Sequence, residues 1–168
     1  MKNIFLLILS TILLMSCKEV KKISSTNPVN WEKRMAKTNN DSLLLGTTHL
    51  SVYSQVYSYT EHKKHSLTVT VSMRNTDRQD TIYIKKADYY NTQGKLIRSY
   101  FNHPIYLAPM ETVEIVIDET DKEGGTGGNF MFDWTIKPTS NQPLFEAVMI
   151  STSGQQGLSF TTTGDKVH

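Results

Sequence analysis

A chain of 168 residues has room for one domain with attached sequence, not for two full domains. Its 18 Lys and Arg against 16 Asp and Glu leave a net charge of +2, without the basic excess a dedicated nucleic-acid binder carries. The single Cys excludes both an intrachain disulfide and a cysteine-rich zinc centre, so the domain must be held by its core.

The chain opens with Lys2 and two short apolar runs, residues 4–9 and 12–15. With their flanks they are too short to span a bilayer and have the make-up of a signal peptide. The segment ends Leu14-Met15-Ser16-Cys17, which resembles the lipobox of bacterial lipoproteins. The resemblance implies cleavage before Cys17, diacylation of its sulfur, and a membrane partner reached through the lipid anchor. An ordinary secretory signal with an incidental Cys is the alternative. Lys18 stands where an Asp would resemble an inner-membrane retention signal, and the run to Lys22 is basic. Both features point to the outer membrane and its periplasmic face. Residues 1–16 are thus assigned to the signal and 17–42 to the lipidated Cys with a flexible tether. Residues 18–42 hold six Lys and Arg against three Asp and Glu, whereas 43–168 hold eleven against thirteen. A flexible stretch of this length reaches about 25–30 Å. Trp31 to Lys37 has the pattern of a short helix, which is marginal in isolation.

From Leu43 the pattern becomes that of strands. His65 to Arg74 alternates, with Leu67, Val69, Val71 and Met73 on one face. Asn75-Thr76-Asp77 supplies a turn. Asp80 to Tyr90 carries Ile82 and Ile84 on one parity but Ala87 and Tyr89 on the other, so a β-bulge is expected at Lys85-Lys86. Lys95–Phe101, Ile105–Leu107 and Glu111–Asp118 follow, and Phe130, Phe132, Trp134 and Ile136 share the strongest core face. Leu144–Ser151 is apolar on both parities at 147–150, as a central strand would be. Gly157–Thr162 closes the domain and Thr47–Tyr59 opens it. The expected fold of residues 43–168 is all-β, an immunoglobulin-like antiparallel β-sandwich of about seven to eight strands.

Several segments together resemble an uncharacterised bacterial family, the domain of unknown function 3124. They include Val52–Tyr57, Thr70–Asp77, Asp88–Gly94, Pro104–Met110, Gly124–Phe130, Glu146–Ile150 and Gln156–Phe160. The resemblance covers about residues 46–165 and implies an envelope-associated bacterial protein with no assigned activity, so it carries over no functional residues. Leu107-Ala-Pro109 before an alternating strand is similar to a corner of many immunoglobulin-like bacterial domains.

No phosphate loop, nucleophile elbow or zinc-protease helix motif occurs. Gly124-Gly-Thr-Gly-Gly128 lacks the Lys and Ser/Thr of a phosphate loop. His62 and His65 lie among lysines and read as turn residues. Asp118, Asp121 and Glu123 flank the glycines, as carboxylates of a Ca²⁺ site do, though a solvated acidic loop has the same composition. No other cofactor is implied. The tyrosines offer a contact surface: if Tyr89 faces the core, Tyr90 points outward beside Asp88, an aromatic and carboxylate pair suited to a sugar or a protein partner. The function expected is a non-enzymatic interaction or structural module in the periplasm. A carbohydrate-binding sandwich using surface tyrosines and a small hydrolase are the alternatives.

Overall fold

The computed structural model describes residues 29–38, 42–152 and 157–168. The signal segment and Cys17 lie outside them. Twelve strands form among the described residues: β1 (Leu44–Val52), β2 (Gln55–Ser58), β3 (Thr60–Ser66), β4 (Thr68–Arg74), β5 (Ile82–Tyr90), β6 (Leu96–Ser99), β7 (Ile105–Leu107), β8 (Thr112–Ile117), β9 (Gly128–Ile136), β10 (Leu144–Ser151), β11 (Leu158–Thr163) and β12 (Asp165–Lys166). One antiparallel sheet runs β12-β1-β9-β5-β6, with β7 also paired to β5, and a second runs β11-β10-β4-β8. The pair β2-β3 stands as a separate hairpin. The strands exceed the expected seven to eight because the expected opening strand divides into β1 and β2, and because β3 and β12 carry no apolar alternation. The strand order does not confirm the immunoglobulin-like arrangement; an antiparallel sandwich is what it defines.

The period-two pattern explains the layering. In β4, Val69, Val71 and Met73 face inward, as do Val113, Ile115 and Ile117 in β8, and all are buried. From the other sheet Leu50, Val52, Ile82 and Ile84 meet them, with the β9 residues Phe130, Phe132 and Trp134 at the centre. Four rings stack in series from Tyr89 through Phe130 and Phe132 to Phe145 of the opposite sheet, with centroids 4.8, 5.3 and 4.2 Å apart. Trp134 fits because its neighbour across the β1 ladder is Gly46: a Cβ there would lie 2.2 Å from the indole. The indole Nε1–H donates to Thr48 Oγ1 at 2.9 Å, satisfying a polar atom that burial would otherwise strand.

Two features complete the frame. The chain crosses from β11 in one sheet to β12 in the other at Gly164, whose N–H donates to the Phe145 carbonyl at 2.8 Å. Residues 29–38, assigned from sequence to the tether, lie against the domain. A 3₁₀ turn, Glu32–Arg34, takes the place of the short helix. Trp31 packs on Phe101 with centroids 5.1 Å apart, Arg34 binds Glu111 at 2.7 Å, and the Ala36 N–H donates to the Pro104 carbonyl. The ordered body therefore begins before residue 43.

Candidate functional site

The β5 bulge decides which side chains face outward. Pairing with β9 slips between Ile84 and Lys86, so Ala87 and Tyr89 turn inward while Lys86, Asp88 and Tyr90 turn outward. Tyr89 is fully buried against Phe130, and Tyr90 lies on the outer face beside Asp88, as the alternation across the bulge predicts. The Asp88 carboxylate is nevertheless only 1% exposed. It accepts from Ser99 Oγ at 2.7 Å, pairs with Lys86 Nζ at 2.5 Å, and lies 3.4 Å from the Tyr90 hydroxyl. The bond from Lys86 to Asp88 raises the Lys86 pKa against the opposing effect of burial. Tyr90 is raised by burial first and then by the Asp88 charge. A ligand seeking this carboxylate must displace Lys86, so Asp88 and Tyr90 form a closed polar cluster with an aromatic rim.

The acidic loop is spent on itself and on one arginine. Asp118 accepts from the backbone N–H and the hydroxyl of Thr120, which lowers its pKa. Asp121, 1% exposed, pairs with Arg98 at 2.9 Å, and Glu123 approaches the same guanidinium at 3.5 Å. No group of three or more His, Cys, Asp and Glu side chains able to hold a metal is gathered among the described residues. Asp121 and Glu123 thus meet on Arg98, which supplies there the positive charge an ion would supply, while Asp118 is turned onto Thr120. Millimolar Ca²⁺ is expected to leave the melting temperature unchanged, since an ion without a folded-state site cannot shift the equilibrium. A calorimetric rise in Tm would restore the metal assignment.

The tyrosines divide sharply. Tyr89 is core, Tyr53 packs on Phe160 and Tyr100 on Phe130. The most exposed are Tyr57 at 56% and Tyr59 at 100%, both in the β2-β3 hairpin. The hairpin root is fixed: the Gln55 N–H donates to the Gly125 carbonyl, the Leu67 N–H to the Ser54 carbonyl, and Val56 packs on the core. His62 and His65 lie in strand β3, not in a turn. Val56 pairs with His65 and Tyr57 with Lys64, whose Nζ sits 5.3 Å from the Tyr57 ring centroid. From sequence this stretch reads as a polar turn, since no apolar alternation marks β3. The one available signal was two tyrosines close to two lysines. A shallow groove of about 510 Å³ also runs between the docked segment and the β6-β7 connection, lined by Trp31, Tyr100, Phe101 and His103. It is not legible in the sequence, where Trp31 falls within the polar stretch 17–42.

Together these features define an all-β sandwich domain with a rigid polar face and a projecting aromatic and cationic hairpin. The chain belongs to the family described as Protein of unknown function (DUF3124), whose model matches residues 46–167. No curated protein matches it. No solved structure matches it either.

Proposed function

We propose that the chain is a non-catalytic contact module of the bacterial envelope, tethered through lipid on Cys17 and facing the periplasm from the outer membrane. One observation carries this reading: the carboxylates Asp88 and Asp121 are engaged in holding the fold, while the side chains of the β2-β3 hairpin are extended to solvent. Asp88 is held by Lys86 and Ser99, and Asp121 by Arg98. Tyr57, Tyr59, His62, Lys63 and Lys64 are exposed at the end of an anchored hairpin. The anchor itself is supported by the Leu14-Met15-Ser16-Cys17 sequence and by the position of the only Cys. Acyl chains hold a protein at a membrane firmly once two or more are present.

Cys17→Ser is expected to block lipid-dependent processing and release the protein from the membrane fraction. A variant that still matures and sediments with membranes would remove the anchor from the proposal. The contact role is tested by a photo-crosslinking residue at position 59 in the native envelope. Capture of a defined envelope component supports it, and the absence of any adduct while the same residue at buried position 134 is equally silent argues against it.

A further inference from the structure

We propose that the β2-β3 hairpin is a docking tip for an anionic lipid surface; this rests on reading the chain as a contact module and names what the contact is with. Tyr59 is the key residue. Its φ of +69° lies in the left-handed region, which is unfavourable for an aromatic residue, and its side chain is fully exposed. The fold therefore gains no packing from a large ring held in a strained conformation. An interfacial tyrosine recovers that loss, because its ring enters the apolar margin of a bilayer while its hydroxyl stays among the headgroups.

Charge selects the kind of surface. Lys63 and Lys64 are both exposed, and neither has an ion-pair partner among the described residues. The lone acidic neighbour, Glu61, lies 3.4 Å from His62 instead. The Lys64 ammonium beside the Tyr57 ring places a cation and a second aromatic on one face of the hairpin. A cation beside an exposed tyrosine on one face, with Lys63 on the other, matches a layer of lipid phosphates below which apolar chains begin.

Size argues against a protein partner at this tip. A stable protein interface buries about 800 Å² on each side. The exposed residues here are Tyr57 and 59–64, a narrow tip rather than a broad patch. A bilayer does not need such an area. Two lysines and a tyrosine give weak attraction that becomes effective when a second anchor already holds the chain near the surface. The hydrogen-bonded root keeps the tip pointed, so contact does not require ordering a loose loop.

The test uses the full chain and vesicles of phosphatidylcholine alone or mixed with phosphatidylglycerol as the anionic lipid. Partitioning by sedimentation is compared for the wild type, K63Q/K64Q and Y59S, with thermal melts confirming that each variant is folded. The apolar N-terminal runs and the basic tether are common to all three proteins, so the readout is the change between them in the ratio of anionic to neutral partitioning. K63Q/K64Q is expected to lower that ratio by about 30-fold, and added salt to lower it in both proteins, with the difference between wild type and variant shrinking as salt rises because the basic tether is common to both. Y59S is expected to weaken partitioning into anionic vesicles further than into neutral ones. An unchanged ratio in K63Q/K64Q overturns the lipid assignment. If position 59 then crosslinks to an envelope protein or glycan, the contact module stands with a different partner. If it crosslinks to nothing, both readings fail.

Discussion

Trp134→Ala is expected to lower the unfolding free energy by about 3–5 kcal/mol, a large share of what a single domain has to lose. The indole is 1% exposed and occupies the space that Gly46 leaves open, so the β1 residue paired with it has no side chain to fill the void. Loss of Nε1–H also leaves the buried Thr48 hydroxyl without its donor. The same geometry predicts that Gly46→Ala is destabilising in its own right, since its Cβ would meet the ring at 2.2 Å. Removing the ring removes that clash, so the double variant is expected to lose less than the two single variants together. Chemical denaturation of the four proteins measures both the size and the coupling. A loss below about 1 kcal/mol for Trp134→Ala would place the indole outside the core.

Tyr89 and Tyr90 are adjacent in sequence and opposite in consequence. Tyr89→Ala is expected to cost about 3–5 kcal/mol, because the ring is fully buried and stacks on Phe130. Tyr90→Ala is expected to stay within about 1 kcal/mol, its ring being a rim over Asp88 and its hydrogen bond long at 3.4 Å. Tyr89→Phe separates ring from hydroxyl. The Tyr89 hydroxyl points to the crowded spot beside Gly124 and Ser54 and makes no well-formed hydrogen bond among the described residues. Burial accordingly pushes its pKa upward. Deleting a buried oxygen that contributes no well-formed bond is expected to be neutral or slightly stabilising. Thermal melts that rank Tyr90→Ala below Tyr89→Ala would mean that the bulge at Lys85 lies elsewhere.

The elements legible in the sequence are those in which one strand carries its own instructions. The alternation of β4, β8 and β9 identifies their inner faces without knowledge of any neighbour. The switch of parity across Lys85-Lys86 locates the bulge, and with it the opposite orientations of Tyr89 and Tyr90. What escaped depends on residues far apart in the chain. Asp88 is outward by parity yet buried, because Ser99 of β6 and Met131 of β9 flank it in the ladder. Asp121 reads as a flexible ligand until Arg98 reaches it across 23 residues. The docking of Trp31 requires Phe101, 70 residues later, and nothing local to Trp31 signals it. The β2-β3 hairpin is polar on both faces near its tip, so it lacks the pattern by which strands are recognised.

The docked segment has a mechanical consequence for a chain held from its N-terminal side. Its contacts follow one another along the chain: the Trp31 ring on Phe101, then the Arg34 ion pair with Glu111, then the bridge from Met35 to Ile105 and the Ala36 N–H on Pro104. Tension from that side loads them in sequence rather than together, as in opening a zipper. The sandwich strands, by contrast, are joined by ladders of up to nine registered pairs, as between β1 and β9. If the chain is anchored through Cys17 as proposed, a modest pull is expected to peel residues 29–38 away and lengthen the leash while the domain stays folded.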